Sequence, residues 1–252
     1  MTRQLFILTG ASRGLGAAMA TQLLSPANRL LCLSRHTSQT LADKAAERSA
    51  ACEQWPVDLA RTTEAATRLQ QWLQQFDTSE FERATLINNA AALADIGPLG
   101  DCDIAVLSAS LRVSLEAPVL LTAAFLHATG SWSATRRVLN ISSGLGRRAM
   151  AAQSPYCAVK AGLDHFSRAL ALEEAGRDNG ARIVSLAPGV IDTDMQVQLR
   201  AAGAAGFPDL DRFVGLKADG RLASSDVAAT SVLAYLDRPD FGSNPVADVR
   251  DQ

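Results

Sequence analysis

Residues 5–16 read LFILTGASRGLG, an apolar run followed by a turn that contains three glycines. The apolar run has the length and composition of a buried strand, and a helical pattern begins after the turn. Gly10 permits a tight turn, Gly14 leaves room for a ligand, and Gly16 lets the helix pack close to the strand. Because free N–H groups at the start of a helix attract anions, the stretch predicts a phosphate-binding turn. The alternative is a glycine-rich turn without a ligand.

Strands and helices alternate along the rest of the chain. Strands are predicted at residues 5–8, 29–33, 55–57, 84–87, 137–141 and 182–186, and helices at 15–24, 41–50, 62–76, 104–127 and 155–175. This alternation is typical of a parallel sheet covered on both faces. We therefore expect an α/β fold, a Rossmann-like doubly wound parallel sheet of about seven strands with helices on both faces. No Pro-, Gly- or Ser-rich linker interrupts the pattern, so residues 1–252 are predicted to form a single domain.

The composition argues against several classes of function. The chain has 252 residues with 24 basic and 26 acidic side chains, so it lacks the basic excess that attracts nucleic acid or anionic lipid. No apolar run is expected to reach the roughly 18 residues of a membrane span, and the apolar stretch at the start is too short for a signal peptide. A cytoplasmic location is expected. The four cysteines form no CxxC pair and the three histidines are dispersed, so no metal site is expected.

The end of the second predicted strand bears on which dinucleotide would bind. Ser34-Arg35-His36 has no acidic residue to hold the ribose 2′-hydroxyl of NAD. Arg35 and Arg13 instead supply two guanidinium groups, which suit a 2′-phosphate through charge-assisted hydrogen bonds. NADP(H) is therefore the expected cofactor. The alternative is that Arg35 is only a solvated surface charge.

A tyrosine, a lysine and a serine form a candidate catalytic group. Tyr156 and Lys160 lie four residues apart in a predicted helix and should share one face. A nearby ammonium is expected to lower the tyrosine pKa from its usual value of about 10, which would make Tyr156 a plausible proton donor. Ser143 follows the fifth predicted strand, where its hydroxyl can hydrogen-bond a carbonyl oxygen that gains negative charge. The tyrosine–lysine pair alone is a common pattern, and the serine makes it informative.

Over nearly its whole length the chain resembles the short-chain dehydrogenase/reductase family. Its glycine turn matches the family motif TGxxxGxG, and Ser143, Tyr156 and Lys160 match the family's catalytic residues in order and spacing. The resemblance implies an NADP-dependent oxidoreductase that acts on CH–OH or C=O groups, with Tyr156 and Lys160 also contacting the cofactor. It implies further cofactor contacts from Gly10, Ser12, Arg13, Gly14, Leu15, Gly16, Arg35, Asp58, Asn89, Ala90, Pro188, Gly189, Val190, Ile191 and Thr193.

Two places depart from that pattern or add to it. Ser114 stands where the family often has an asparagine that supports a proton relay, so we expect a relay that uses an additional water or is weakened. Asp192 and Asp194 follow the cofactor-binding segment, and we interpret them as caps at the start of a helix.

Several stretches resemble the branch of the family that contains sepiapterin reductases and bacterial benzil reductases. Residues 171–174 (ALEE) and 191–196 (IDTDMQ) are similar to the former, and residues 140–144 (NISSG) to the latter. The resemblance implies a substrate that is a vicinal diketone or a related side-chain ketone, with contacts from Ser143, Met195 and Asp248. A carboxylate at position 248 could accept hydrogen bonds from an aminopyrimidinone edge. The alternative for Asp248 is a solvated residue near the C-terminus.

The leading hypothesis is an NADPH-dependent carbonyl reductase. Tyr156 would protonate the carbonyl oxygen, Ser143 would hold it, and Lys160 would bind the nicotinamide ribose and tune Tyr156. The alternatives are a secondary-alcohol dehydrogenase working in the oxidative direction and a non-catalytic NADPH-sensing protein. Expected partners are a small-molecule carbonyl substrate and, by resemblance, further copies of the chain in a homodimer or homotetramer. Neither nucleic acid nor membrane is expected as a partner.

Overall fold

The computed structural model describes residues 4–202 and 206–251. Within these residues one sheet of seven parallel strands runs in the order β3-β2-β1-β4-β5-β6-β7. The strands are β1 (Gln4–Thr9), β2 (Asn28–Ser34), β3 (Ala51–Pro56), β4 (Arg83–Asn88), β5 (Thr135–Ile141), β6 (Arg182–Ala187) and β7 (Val246–Asp248). The predicted Rossmann-like α/β fold is confirmed.

Helices cover both faces of the sheet. They are α1 (Gly14–Leu23), α2 (Gln39–Glu47), α3 (Thr62–Leu73), α4 (Ile104–Leu111), α5 (Ala117–Ala128), α6 (Ser154–Ala175), α7 (Asp194–Ala201), α8 (Leu210–Ala218) and α9 (Ser225–Leu236). Alternate residues of a strand point to opposite faces. Phe6 and Leu8 of β1 therefore join a core with α1 and α9, while Leu5 and Ile7 join a second core with α3 and α5. Burial on both faces explains why the strands read as continuous apolar runs.

The strand order reverses between β1 and β4. The chain runs from β1 outward to β2 and β3, and then returns to the other side of β1 with β4. Open α/β sheets bind ligands in the crevice that such a reversal leaves at the carboxyl ends of the strands. Gly10 follows β1 and Asn89 follows β4, so both residues lie at this crevice.

The structure corrects the sequence-based elements in four places. The strand predicted at residues 55–57 is β3, which begins at Ala51 and ends at Pro56. The helix predicted at residues 104–127 is α4 and α5 joined by a π-helical turn, Arg112–Glu116. The sequence predicts about seven strands but does not locate β7, whose three residues are too few to show a period. After β6 the sequence pattern predicts only the start of a helix near Asp192 and Asp194, whereas α7, α8 and α9 follow that strand.

One helical stretch among the described residues, Ile104–Ala128, is long and apolar enough by length and composition to cross a membrane. The expectation that no apolar stretch reaches this length is therefore wrong. Leu121 and Phe125 of the stretch are fully buried in the second core, so it is part of the α/β fold. Only 28% of its most apolar window is buried, and Ile104 is 83% exposed. An exposed apolar face of this kind suits contact with another apolar surface.

Candidate active site

A single cleft of about 1130 Å³ follows the carboxyl ends of the strands. Ligand pockets usually measure about 300–1,000 Å³, so this cleft has room for a dinucleotide and a second small molecule. The structure brings every sequence-predicted site residue to it: Gly10, Ser12, Arg13, Gly14, Leu15, Gly16, Arg35, Asp58, Asn89, Ala90, Ser143, Tyr156, Lys160, Pro188, Gly189, Val190, Ile191, Thr193, Met195 and Asp248. Parallel strands make this possible because their carboxyl ends meet at one edge of the sheet.

The glycine turn after β1 has a backbone shape that favours glycine. Gly10 and Gly14 have φ values of +73° and +54°, in the left-handed region. A Cβ on Gly16 would lie 2.0 Å from the carbonyl oxygen of Gly10, whereas a Cβ on Gly14 would meet only Thr193 within 4 Å. The turn is therefore tight on the side of α1 and open on the side of the cleft. This open cradle at a helix start fits a dinucleotide phosphate.

Asn89 ties the glycine turn to the end of β4. Its Nδ2 donates hydrogen bonds to the carbonyl oxygens of Thr9 and Gly10 at 3.0 and 3.3 Å, and its backbone N–H donates to Oγ1 of Thr9 at 2.9 Å. Asn89 thus fixes the shape of the turn in addition to lining the cleft.

The electrostatic field of the cleft favours an anion. Eight cationic side chains and four carboxylates line it. Arg35 is exposed and forms no salt bridge within the described part of the chain. Arg13 differs, because its Nη1 lies 2.8 Å from Oδ2 of Asp194 and both side chains are 64% exposed. An exposed pair of this kind contributes about 0.2–1 kcal/mol, so Arg13 can exchange Asp194 for a phosphate at little cost.

The three predicted catalytic side chains converge at one point of the cleft. Ser143 follows β5, while Tyr156 and Lys160 lie one turn apart near the start of α6. The side chains of Ser143 and Tyr156 both line the cleft at this point, close enough for Ser143 to affect the pKa of Tyr156. Lys160 is 3% exposed, and its Nζ donates to the carbonyl oxygen of Ile141 at 2.7 Å and lies 5.5 Å from the centre of the Tyr156 ring.

Burial dominates the protonation of this group. Burial raises the pKa of Tyr156 to about 12, against a hydrogen bond from Ser143 that favours the ionised form. Burial also lowers the pKa of Lys160 to about 8, against the attraction of the Asp164 carboxylate. The expectation that Lys160 lowers the pKa of Tyr156 is therefore wrong in this structure. Tyr156 instead keeps its proton at neutral pH, which suits a proton donor.

The segment after β6 forms part of the rim of the cleft, beside the glycine turn. Gly189 turns the chain with a φ of +83°. Ala223 then holds the segment, since its N–H donates to the carbonyl oxygen of Val190 at 3.0 Å and its carbonyl oxygen accepts from the N–H of Asp192 at 2.9 Å. The backbone of this predicted cofactor-binding segment is thus fixed by the residues before α9.

The interpretation of Asp192 and Asp194 as helix caps is wrong. Thr193 occupies the cap position of α7 and makes no side-chain capping bond. Asp192 is paired with Lys217 of α8 at 2.5 Å, and Asp194 with Arg13. Both carboxylates therefore tie the rim to neighbouring elements.

The far side of the cleft is apolar. A small cluster of buried side chains joins the loop before α6 to α7 and α8: Met150, Leu199, Phe207 and Phe213. Met195 and Leu145 pack against this cluster and also line the cleft. We call these six residues the apolar wall. All of them except Phe207 line the cleft, where they can take an aryl or alkyl group.

Asp248, the predicted substrate contact in β7, is already engaged. It is 5% exposed, and its two carboxylate oxygens accept from Arg250 Nε and Nη2 at 2.7 and 2.5 Å. The hydrogen bonds from Arg250 lower the pKa of Asp248, so the pair stays ionic at neutral pH. A substrate would meet the Asp248–Arg250 pair rather than a free carboxylate.

Ser114 lies in the π-helical turn and is 1% exposed. Its Oγ accepts from the N–H of Ala92 at 2.9 Å and donates to the carbonyl oxygen of Ala92 at 3.2 Å. Ser114 therefore fixes the loop after β4 and does not line the cleft.

Sequence reasoning missed Arg147, Arg250 and the buried Asp164. Arg147 and Arg250 line the cleft, and Arg147 Nε lies 3.4 Å from Oδ2 of Asp164. The only sequence signal for Asp164 is its position four residues after Lys160, on the same helix face. Among the described residues, no group of three His, Cys, Asp or Glu side chains could hold a metal ion.

The family follows from comparison with known proteins. A model of short chain dehydrogenases matches residues 4–203. The chain belongs to the short-chain dehydrogenase family. It is an oxidoreductase, and this family uses nicotinamide cofactors.

Two relatives within the short-chain dehydrogenase family point to the expected branch. The chain is 33% identical over 240 residues to benzil reductase ((S)-benzoin forming) of Bacillus cereus, which covers 95% of this chain and 96% of that protein. It is 34% identical over 257 residues to sepiapterin reductase of Mus musculus, which covers 97% of this chain and 96% of that protein. Among solved structures, the KRED1-Pglu enzyme superposes with a TM-score of 0.80 at 26% identity, over 97% of this chain and 99% of that one.

Proposed function

We propose that this short-chain dehydrogenase is an NADPH-dependent carbonyl reductase acting on a ketone of a vicinal diketone or a sepiapterin-like substrate. The observation that carries the proposal is the convergence of Ser143, Tyr156 and Lys160 between the glycine turn and the apolar wall. The branch of the family indicated by the two relatives supports the same reading.

Three residues of the chain would have separate roles in the reduction. A bound nicotinamide supplies the hydride. The Tyr156 hydroxyl donates its proton to the carbonyl oxygen as negative charge develops there, and Ser143 donates a hydrogen bond to the same oxygen. The Lys160 ammonium binds the nicotinamide ribose, since its position beside Tyr156 keeps it at the reacting end of the cleft. Tyr156 carries its proton at neutral pH, which is the form that a proton donor needs for reduction.

The preference for NADPH rests on Arg35 and Arg13. Arg35 is unpaired within the described part of the chain, and the Arg13–Asp194 pair is exposed and weak. Both guanidinium groups are therefore available to a 2′-phosphate, which carries more charge than the ribose hydroxyl of NADH.

The apolar wall favours a diketone with apolar substituents, since Phe213 and Met195 offer no hydrogen bonds to a polar ring. A pterin ketone is the second candidate, because the Asp248–Arg250 pair presents polar atoms at the same cleft. The variant Asp248→Ala would distinguish between these two candidate substrates. It should weaken reduction of sepiapterin and leave reduction of benzil mostly intact, whereas unchanged sepiapterin kinetics would remove Asp248 from the site.

The proposed function is tested by following NADPH absorbance with purified protein, benzil and sepiapterin, and repeating with NADH. We expect consumption of NADPH with at least one substrate and little consumption of NADH. Equal rates with NADH would remove the argument from Arg13 and Arg35. NADPH binding without turnover over a broad carbonyl panel would support the NADPH-sensing alternative.

We also propose a cytoplasmic homodimer or homotetramer with no nucleic-acid or membrane partner. Ile104 of α4 and Leu172 of α6 are 83% and 79% exposed, so the two helices present apolar side chains that a second copy would cover. Light scattering of the purified protein measures the mass directly. A monomer at all concentrations would contradict this assembly.

A further inference from the structure

Asp164 is a buried carboxylate beside the candidate active site. It lies on α6, four residues after Lys160, and is 2% exposed. An ionised carboxylate that leaves water loses its hydration, so it must be held by partners that compensate for this loss. Such a group is seldom retained without a role in the structure or in the chemistry.

The partners of Asp164 come from three elements around the site. Its Oδ1 accepts hydrogen bonds from Oγ of Ser142 at 2.6 Å and from Oγ of Ser185 at 2.7 Å. Ser142 follows β5 directly and precedes Ser143, while Ser185 lies in β6. One carboxylate oxygen thus joins α6 to the ends of two neighbouring strands, immediately before the proposed catalytic serine.

The second oxygen of Asp164 is only partly compensated. Oδ2 has no hydrogen-bond partner in the structure, and Nε of Arg147 lies 3.4 Å away at the distance of an ion pair. A Cβ on Gly146 would come within 2.7 Å of this oxygen, so the loop has a glycine where it passes the carboxylate. The hydroxyl donors on Oδ1 are neutral, so among the described residues the ion pair with Arg147 is what offsets the negative charge of Asp164.

Lys160 is the buried cation nearest to that charge along the helix. The Lys160 ammonium donates to a neutral carbonyl oxygen, that of Ile141, and forms no salt bridge within the described residues. Asp164 lies one helical turn after Lys160, and the attraction of its carboxylate raises the pKa of the ammonium against the effect of burial. The other titratable and charged side chains that line this end of the cleft are Tyr156, Arg147, Arg148, Asp248 and Arg250.

We propose that Asp164 is a positioning residue of this active site, whose buried carboxylate fixes the segment that carries Ser143 and supplies the charge that keeps Lys160 protonated. The proposal rests on the proposed reductase function. It assigns Asp164 no contact with substrate or cofactor, since it acts through Ser142 and Lys160. Arg147 makes it harder for Lys160 to stay protonated, because it neutralises part of the Asp164 charge.

The test compares pH profiles of wild type and Asp164→Asn, which keeps the shape of the side chain and removes the charge. In wild type, kcat/KM for ketone reduction and the affinity for NADPH measured by fluorescence should both fall as the pH rises through about 8. In Asp164→Asn the decrease in kcat/KM and the decrease in NADPH affinity should both occur at a pH lower by about one unit. A loss of activity that is equal at every pH, with an unshifted profile, would overturn the role of the charge.

Two further variants make the test specific. Glu174→Gln removes another buried carboxylate of α6, one that pairs with Arg136 and Arg177 away from the cleft, and it should lower stability without moving the profile. Arg147→Gln should move the alkaline fall to higher pH, because it leaves the Asp164 charge uncompensated. If Asp164→Asn fails to fold, an unshifted or downward profile in Arg147→Gln overturns the proposal.

The two proposals can fail separately. If wild type binds NADPH but reduces no ketone, the proposed reductase function is contradicted. The pH dependence of NADPH binding in Asp164→Asn and Arg147→Gln still decides the role of Asp164, since that measurement needs no turnover.

Discussion

The two ends of the cleft differ in the groups that form them. At the end nearest β1, short turns present backbone groups and exposed arginines, and the shape depends on glycines such as Gly10 and Gly16. At the end nearest α7 and α8, the apolar wall is built from side chains such as Phe213 and Met150 on elements that are far apart in sequence. The catalytic group lies between them. Recognition of the cofactor should therefore depend on backbone shape and charge, and recognition of the substrate on the packing of buried apolar side chains.

The largest effect should come from the catalytic group. Tyr156→Phe removes the proposed proton donor and should lower kcat by about 10²–10⁴-fold. NADPH affinity, measured by fluorescence titration, should change little because the glycine turn and arginines remain. Retention of most of the wild-type rate would exclude Tyr156 as the donor.

A methyl group at the glycine turn should damage the cofactor end selectively. The Cβ of Gly16→Ala would lie 2.0 Å from a backbone oxygen, so the turn must shift. A misplacement of about 1 Å typically reduces catalytic efficiency about 10²-fold, and we expect a comparable loss in kcat/KM for NADPH. Gly215→Ala in α8 is the matched control, because nothing lies within 4 Å of its Cβ. Equal kinetics for both variants would contradict the proposed cradle.

Removing the positive charge of Arg35 should weaken the binding of NADPH and leave the binding of NADH unchanged. Arg35→Ala should raise KM for NADPH about 10–100-fold, since a hydrogen bond to a charged group contributes about 1.5–3 kcal/mol. KM for NADH should not change. Arg168→Ala removes an exposed arginine outside the cleft and serves as the control. A loss that is equal for both cofactors would show that Arg35 does not read the 2′-phosphate.

The smallest effect should come from the apolar wall. Phe213→Leu trims a side chain that is 8% exposed and packs 5.4 Å from the Phe207 ring. It should raise KM for benzil by roughly fivefold, corresponding to about 1 kcal/mol, without changing NADPH affinity. Val214→Ala, on the same helix but 47% exposed, should leave both constants unchanged. A parallel loss of NADPH affinity in Phe213→Leu would mean that the two ends are not independent.

The difference between the two ends of the cleft also explains which site residues could be predicted from the sequence. Gly10, Gly14 and Gly16 lie within one local motif, and the spacing of Tyr156 and Lys160 is set by one helix, so a pattern in the sequence is enough to find them. The apolar wall depends on contacts between residues far apart in the chain, and its helices α7 and α8 have only eight and nine residues. The pairs Asp164–Arg147 and Arg13–Asp194 likewise join distant segments. The raised pKa of Tyr156 comes from burial, which the spacing of two residues does not show.

Transfer of an isotopic label tests the central claim most directly. Wild-type protein would be incubated with benzil and with NADPH that carries deuterium at one C4 position, using each of the two labelled forms in turn. A carbonyl reductase should place one deuterium on the carbinol carbon of benzoin with one labelled form and none with the other. An unlabelled product from both forms, or NADPH consumption without benzoin, would contradict direct hydride transfer in this cleft.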